Sequence, residues 1–151
     1  MSAPLAKHQR FMGFDFGTRR IGVAFASAIG TGAQGLSTVR NGPAGPDWQA
    51  LDQLIAAWEP DALVVGLPLN MDGSPGPVTP LARRFGNRLA GRYHRHLYWV
   101  DERLSSFAAE QDLRESGLSA AKRAKILDQT AAEQILATFL AQRSCGPETR
   151  E

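Results

Sequence analysis

The chain has a single cysteine in 151 residues, Cys145, so it cannot form an internal disulfide and gives no sign of an oxidising compartment. It has no apolar run near the ~20 residues that span a bilayer. Its first residues also lack the apolar core of a signal peptide. The expected location is therefore the cytoplasm. Internal repeats and low-complexity tracts are absent as well. Acidic residues are missing from the whole interval between Asp72 and Asp101, so the arginines there have no acidic neighbour along the chain.

What remains is the profile of a folded domain. Hydrophobic residues make up 43% and charged residues 21%, too apolar for a disordered chain. A chain of this length forms one domain and buries roughly 70% of its unfolded surface. We read residues 1–151 as a single domain, with a loose leader over 1–9 and a tail over 143–151. The net charge of +2 permits phosphate binding without pointing to it, since only the distribution of charge matters for that.

The pattern predicts an α/β fold. Phe11 to Phe16 and Ile21 to Ala26 read as strands joined by a turn at Gly17 to Arg20, hence an antiparallel hairpin. Thr31 to Val39 extends the meander. Asp47 suits the N-cap of a helix reaching Trp58, with Leu51, Leu54 and Ile55 at amphipathic spacing. Ala62 to Val65 is a short continuous apolar run, as a strand covered on both faces requires. A second helix carries Leu81, Phe85 and Leu89, and Leu97 to Val100 is a fifth strand. Further helices are expected at about Ser105 to Arg114 and Asp128 to Gln142. Helical crossovers make the later strands parallel, so the five-stranded sheet should be mixed, with helices on its faces.

Three acidic positions stand out. Asp15 is an isolated carboxylate inside the apolar strand FMGFDF, and burying it costs several kcal/mol unless it is paired or holds a cation. Asp101 and Glu102 close the fifth strand, and Asp128 opens the last expected helix. Oxygen ligands converging there would suit a hard cation, Mg2+ or Mn2+. Each acid also has a structural use: Asp15 in a turn, Asp101-Glu102 paired with Arg103, Asp128 as an N-cap.

In combination, FDFGTRRIGVAFA, VVGLPLNMDGS, VDERLSS and LDQTAAEQILATFL resemble the YqgF family, also called RuvX. Its members are provisionally named pre-16S ribosomal RNA nucleases and resemble Holliday junction resolvases. The resemblance covers Met12 to Leu140. It implies a ribonuclease H-like fold and a divalent-metal site of Asp15, Glu102 and Asp128. Strand alternation sends Asp101 and Glu102 to opposite faces. We favour Glu102 as the ligand for its reach, with Asp101 as a neighbour that orients it or as the ligand in its place. In a two-metal arrangement Asp15 bridges the ions while Glu102 and Asp128 each complete one. Two departures count. The resolvases carry a glutamate at the end of the fourth strand, where this chain has Val65-Gly66-Leu67. Ile126 also stands where family members often have lysine, leaving Lys122 or Lys125 as substitutes.

Thr18, Arg19, Asn70 and Gly73 are candidate nucleic-acid contacts from the turn and the Gly66–Pro77 loop, whose glycines let backbone N–H groups approach a phosphate. Arg84, Arg88 and Arg92 repeat every four residues on the second helix and form a basic stripe. His94 and His96 would need more ligands than the chain offers to hold zinc. The expected function is a metal-dependent endonuclease at the 5′ end of pre-16S ribosomal RNA. The alternatives are a Holliday junction resolvase-type DNA nuclease and a non-catalytic RNA- or ribosome-binding factor. DFGT also resembles the first phosphate loop of the sugar kinase, heat-shock protein and actin superfamily, but those proteins close two such domains around ATP. The expected partner is nucleic acid, ribosomal precursor first and branched DNA second, with no membrane. The chain is expected to be a monomer or homodimer; symmetric junction cleavage needs the dimer. Trp99 and Phe107 look exposed but outline no dimer seam, so ribosomal RNA ranks first.

Overall fold

Residues 9–28, 32–102 and 119–145 are described by the computed structural model. Strands β1 (Arg10–Phe16) and β2 (Arg20–Ser27) pair antiparallel, as the turn between them predicts. That turn needs glycine, because a Cβ on Gly17 would lie 2.6 Å from the Arg20 carbonyl oxygen. Strand β3 (Gln34–Arg40) adds antiparallel to β2. Helix α1 (Trp48–Trp58) starts where Asp47 accepts a 3.2 Å hydrogen bond from the Ala50 amide. It ends at Glu59, in the left-handed region with φ 47°, just before Pro60. Strand β4 (Ala62–Leu67) is buried along its whole length and parallel to β1. Helix α2 (Thr79–Tyr93) crosses over to β5 (His96–Asp101), parallel to β4. The sheet order is β3-β2-β1-β4-β5, a mixed five-stranded sheet with helices on both faces.

The last helix departs from expectation. Helix α3 runs from Ala120 to Cys145, eight residues earlier than its expected start, so Asp128 lies inside the helix rather than at its N-cap. The reason is composition. Apart from Ile126, Ala120 to Leu127 consists of strong helix formers, alanine, lysine, arginine and leucine, with no glycine or proline to stop it. The helix expected at Ser105 to Arg114, with Phe107, falls outside the described residues.

Strand alternation sorts the core into two layers. On one face Phe11, Ala24, Ala26, Ala62, Val64, Tyr98 and Val100 pack under Ala132, Ile135, Leu136 and Phe139 of α3. On the other, Met12, Phe14, Ile21, Val23, Leu63 and Val65 pack under Leu51 and Ile55 of α1 and Phe85 and Leu89 of α2. Trp99 is not exposed as expected. It is partly buried in the second layer, so close beneath α2 that a Cβ on Gly86 would meet its ring at 2.5 Å. Leu81, expected on the apolar seam of α2, is 43% exposed. No helix among the described residues is long and apolar enough to cross a membrane.

Candidate active site

Asp15 is one residue from the end of β1, on the same face as Phe11 and Gly13 and therefore under α3. Across the hairpin it pairs with Gly22. A Cβ on Gly22 would lie 1.9 Å from the Asp128 carbonyl oxygen and 3.1 Å from its Cα. Only a residue without a side chain lets the α3 backbone come this low, and that approach brings Asp128 toward Asp15. Further along, the Gly35 amide donates to Glu133 Oε2 at 2.6 Å, which fastens α3 to β3.

Glu102 follows β5, and its amide donates to the Leu67 carbonyl at 3.1 Å. Alternation along β5 puts it on the α3 face with Tyr98 and Val100, and puts the exposed Asp101 on the opposite side. Its carboxyl reaches over Gly66, where a Cβ would meet Oε1 at 2.5 Å. Gly66, having no side chain, thus leaves the space that Glu102 fills from the neighbouring strand.

Asp15 and Glu102 are hydrogen-bonded to each other through their carboxyl groups, and both are held above the usual carboxylate range. Burial is the larger cause for each. Asp128's charge pushes Asp15 further up, against the downward pull of the Glu102 hydrogen bond. For Glu102, the hydrogen bond and the charge of Asp15 add to burial. Glu102 Oε1 is buried with no hydrogen-bond partner. Asp128 takes a different partner, accepting from Arg20 Nε at 2.7 Å. Asp128's position therefore brings it into the field of Asp15, while its carboxylate is turned to Arg20. As the side chains stand, no three acidic, histidine or cysteine groups among the described residues come together to hold a metal ion.

The other candidates divide. Thr18 and Arg19 are exposed on the β1–β2 turn, at the same end of the sheet as Asp15. Arg84 and Arg88 are exposed on α2, and no ion pair between described residues engages them. Arg92 leaves the stripe. Its guanidinium makes two 2.9 Å bonds to Asp52 of α1, where Tyr93 Oη also donates at 2.6 Å. These partners, Arg92 first, pull the Asp52 carboxyl down to about 2. The stripe is thus neutralised at one end by an acid forty residues away, which its own segment does not contain. In the 66–77 loop, Asn70 Nδ2 donates to Ser74 Oγ at 3.0 Å and to the Pro75 carbonyl at 3.3 Å. The Gly73 amide donates to the Asn70 carbonyl at 2.8 Å, with Gly73 at φ 90°. These groups hold the loop's own shape. The residue that sequence reasoning missed is Arg20, whose signal was its place directly after Arg19 in the turn beside Asp15.

Acids gathered at the carboxyl ends of parallel strands, on this strand order, define a ribonuclease H-like protein of the resolvase kind. Over 91% of its length the chain superposes on T. thermophilus RuvC in complex with a Holliday junction substrate, covering 96% of that chain with a TM-score of 0.53 at 15% identity. The fowlpox virus resolvase bound to junction DNA gives 0.51 at 11% identity, over 89% of this chain and 98% of that one. More specifically, the chain belongs to the RuvX family, described as Holliday junction resolvase, whose model matches residues 9–142. Relatives from Burkholderia ambifaria and Nitrosococcus oceani, both provisionally named pre-16S rRNA nuclease, are 44% and 46% identical over 144 residues. Those matches span 95% of this chain and 97% and 94% of the relatives.

Proposed function

We propose that this chain is a metal-dependent endonuclease that processes the 5′ end of precursor 16S ribosomal RNA. The observation that carries the chemistry is the half-buried Asp15–Glu102 carboxyl pair beside Asp128, each held above the usual carboxylate range. Such a cluster is costly with no cation and favourable with one. The residues fit a divalent cation: Glu102 Oε1 is buried without a donor, and all three groups are hard oxygen ligands. Asp15, Glu102 and Asp128 would hold it, with Asp101 outside the set. When bound, such an ion supplies the positive charge that activates water and steadies the leaving oxygen of a phosphodiester.

The chain's own groups do the remaining work. Asp15 and Glu102, held above the usual carboxylate range, would release their proton to solvent when they hold the ion. Arg20 holds Asp128 in place and offsets its charge. Thr18 and Arg19, exposed on the turn beside Asp15, meet the phosphates next to the cut. The substrate assignment rests on the relatives, and it implies work in the cytoplasm among ribosomal precursors.

The test has two arms. Depletion of the protein should leave 16S RNA with an extended 5′ end, restored by the wild-type gene and not by Asp15→Asn. The purified chain should cut a precursor 5′ segment with Mg2+ or Mn2+ and fail with a chelator. Cleavage of four-way junctions but not of precursor RNA would move the assignment to DNA. Rescue by Asp15→Asn would leave a binding role only.

A further inference from the structure

At the active-site end of the sheet, on the face opposite Asp15, lies a cavity of about 520 Å3. Asp15 and Phe16 are adjacent in β1, so alternation sends one under α3 and the other into this cavity. Its lining combines Phe16 and the exposed Leu81 with Arg84 and Arg88 of α2, Thr18 of the turn, and the proline-rich 41–46 loop. Such a volume, mostly apolar with a few convergent polar groups, is typical of a small-molecule site.

Several features show that the walls are preformed. Phe16 packs against the buried Phe85, ring centroids 5.3 Å apart. The loop is held by the Asn41 amide donating to the Arg19 carbonyl at 2.9 Å and by Asn41 Nδ2 donating to the Gly17 carbonyl at 2.7 Å. The Arg88 guanidinium sits 5.3 Å above the Trp48 ring, which limits its wandering. The cavity therefore offers an apolar wall of Phe16, Phe85 and Leu81 and two arginines, at the end of the strand that carries Asp15. By contrast, the larger cavity at the opposite end of the sheet, about 750 Å3, is lined by Glu59, Asp61 and the Arg92-paired Asp52 with Arg95 as its one cation, so it is the less suited of the two to a phosphate.

We propose that the 520 Å3 cavity receives one unstacked base of the single-stranded RNA flanking the cut, with that nucleotide's phosphate between Arg84 and Arg88. The apolar wall suits the base, since stacking on apolar and aromatic groups tolerates any sequence. The arginines suit the phosphate, and phosphate contacts carry no base information. This inference rests on the reading of the chain as an RNA-cutting enzyme. It adds that the enzyme demands an unpaired nucleotide beside the scissile bond.

The test is binding in chelator, so that cleavage plays no part. A short single-stranded RNA carries one 2-aminopurine, or one abasic residue, moved position by position, and is titrated against wild type, Leu81→Glu and Arg84→Ala. Both substituted residues are exposed, and circular dichroism checks that the variants fold. One position should respond in fluorescence, and removing the base there should weaken binding roughly tenfold. Leu81→Glu should weaken the intact RNA by a similar factor and erase the abasic penalty. Arg84→Ala should keep the penalty but flatten the salt dependence by about 0.7 in log–log slope. Equal binding of abasic and intact RNA at every position, or wild-type binding by Leu81→Glu, overturns the proposal. So does equally tight, Leu81-dependent binding of a fully paired RNA. A position-specific penalty in a protein that cuts no RNA would leave the cavity standing and remove the nuclease reading. Cutting without any penalty would do the reverse.

Discussion

The two faces of the sheet are built on opposite rules. Beneath α3 the strands present glycine where the helix comes lowest, Gly22 and Gly66 beside the carboxylates, with Ala24 along β2 and the larger Phe11, Val64, Tyr98 and Val100 elsewhere. One helix lies almost on the strand backbone, and the Asp15–Glu102 pair sits there with Asp128 beside it, its carboxylate turned to Arg20. Beneath α1 and α2 the strands present Met12, Phe14, Ile21 and Leu63. Two helices stand further off on large side chains, and charge appears only at the rim. Close approach concentrates charge and stores electrostatic cost at the site, whereas bulk packing supplies the stability that offsets it.

The largest effect should come from breaking the close approach. Gly22→Ala puts a Cβ against the Asp128 backbone. Because backbone cannot step aside as a side-chain tip can, urea unfolding should show a loss of roughly 3 kcal/mol or more. The same substitution at an exposed position on the other face would do little.

Next in size is the charge itself. Asp15→Asn and Glu102→Gln should each lower cleavage at least about a hundredfold with the fold intact, while Asp101→Asn, on the far side of β5, should cost much less. The reverse order in single-turnover assays would put Asp101 at the centre. Gly66→Ala sharpens the point. Its methyl would push only on the tips of Glu102 and Ile135, so cleavage should fall roughly tenfold or more while stability changes by about 1 kcal/mol.

A pH series separates the faces in another way. Glu102 titrates above its unfolded value, so between the two pKa values the folded chain binds more protons than the unfolded one. Stability in chelator is therefore fullest below the unfolded pKa and falls as pH rises through that window. Glu102→Gln should flatten this decline and melt higher than wild type at pH 8, with the difference vanishing near pH 4. Parallel curves would show that the carboxyl is not held as described.

The smallest effect is expected at Arg92. Spent on Asp52, it should contribute nothing to nucleic-acid binding, so Arg92→Ala should leave the salt slope unchanged while Arg88→Ala lowers it by about 0.7 to 0.9. Equal losses would return Arg92 to the stripe.

Strands β1, β2, β4 and β5 were legible because their apolar runs and turns have few other readings, and Asp47 announced α1 as an N-cap. The start of α3 was not, because Ala120 to Leu127 has helix-forming composition but no apolar stripe to mark it. Leu81 keeps the amphipathic spacing of α2, yet it sits in the first helical turn beside the open cavity, and spacing alone does not show where the sheet beneath a helix ends. Arg92 looked free for a related reason: its acid lies on another helix, and no local pattern reports a pair closed by tertiary packing. Of the acids, alternation separated Asp101 from Glu102 but could not say which faced Asp15. That depended on which face α3 covers.

The covering of β1 by α3 also sets an order in time. Asp15 and Asp128 are 113 residues apart in the chain, so at roughly 5–20 residues per second a ribosome makes the second about 6 to 23 seconds after the first. Until then the strand face that α3 will cover, with Phe11 and Ala24, has no helix to lie under. The carboxylate cluster cannot assemble on a nascent chain that stops short of α3.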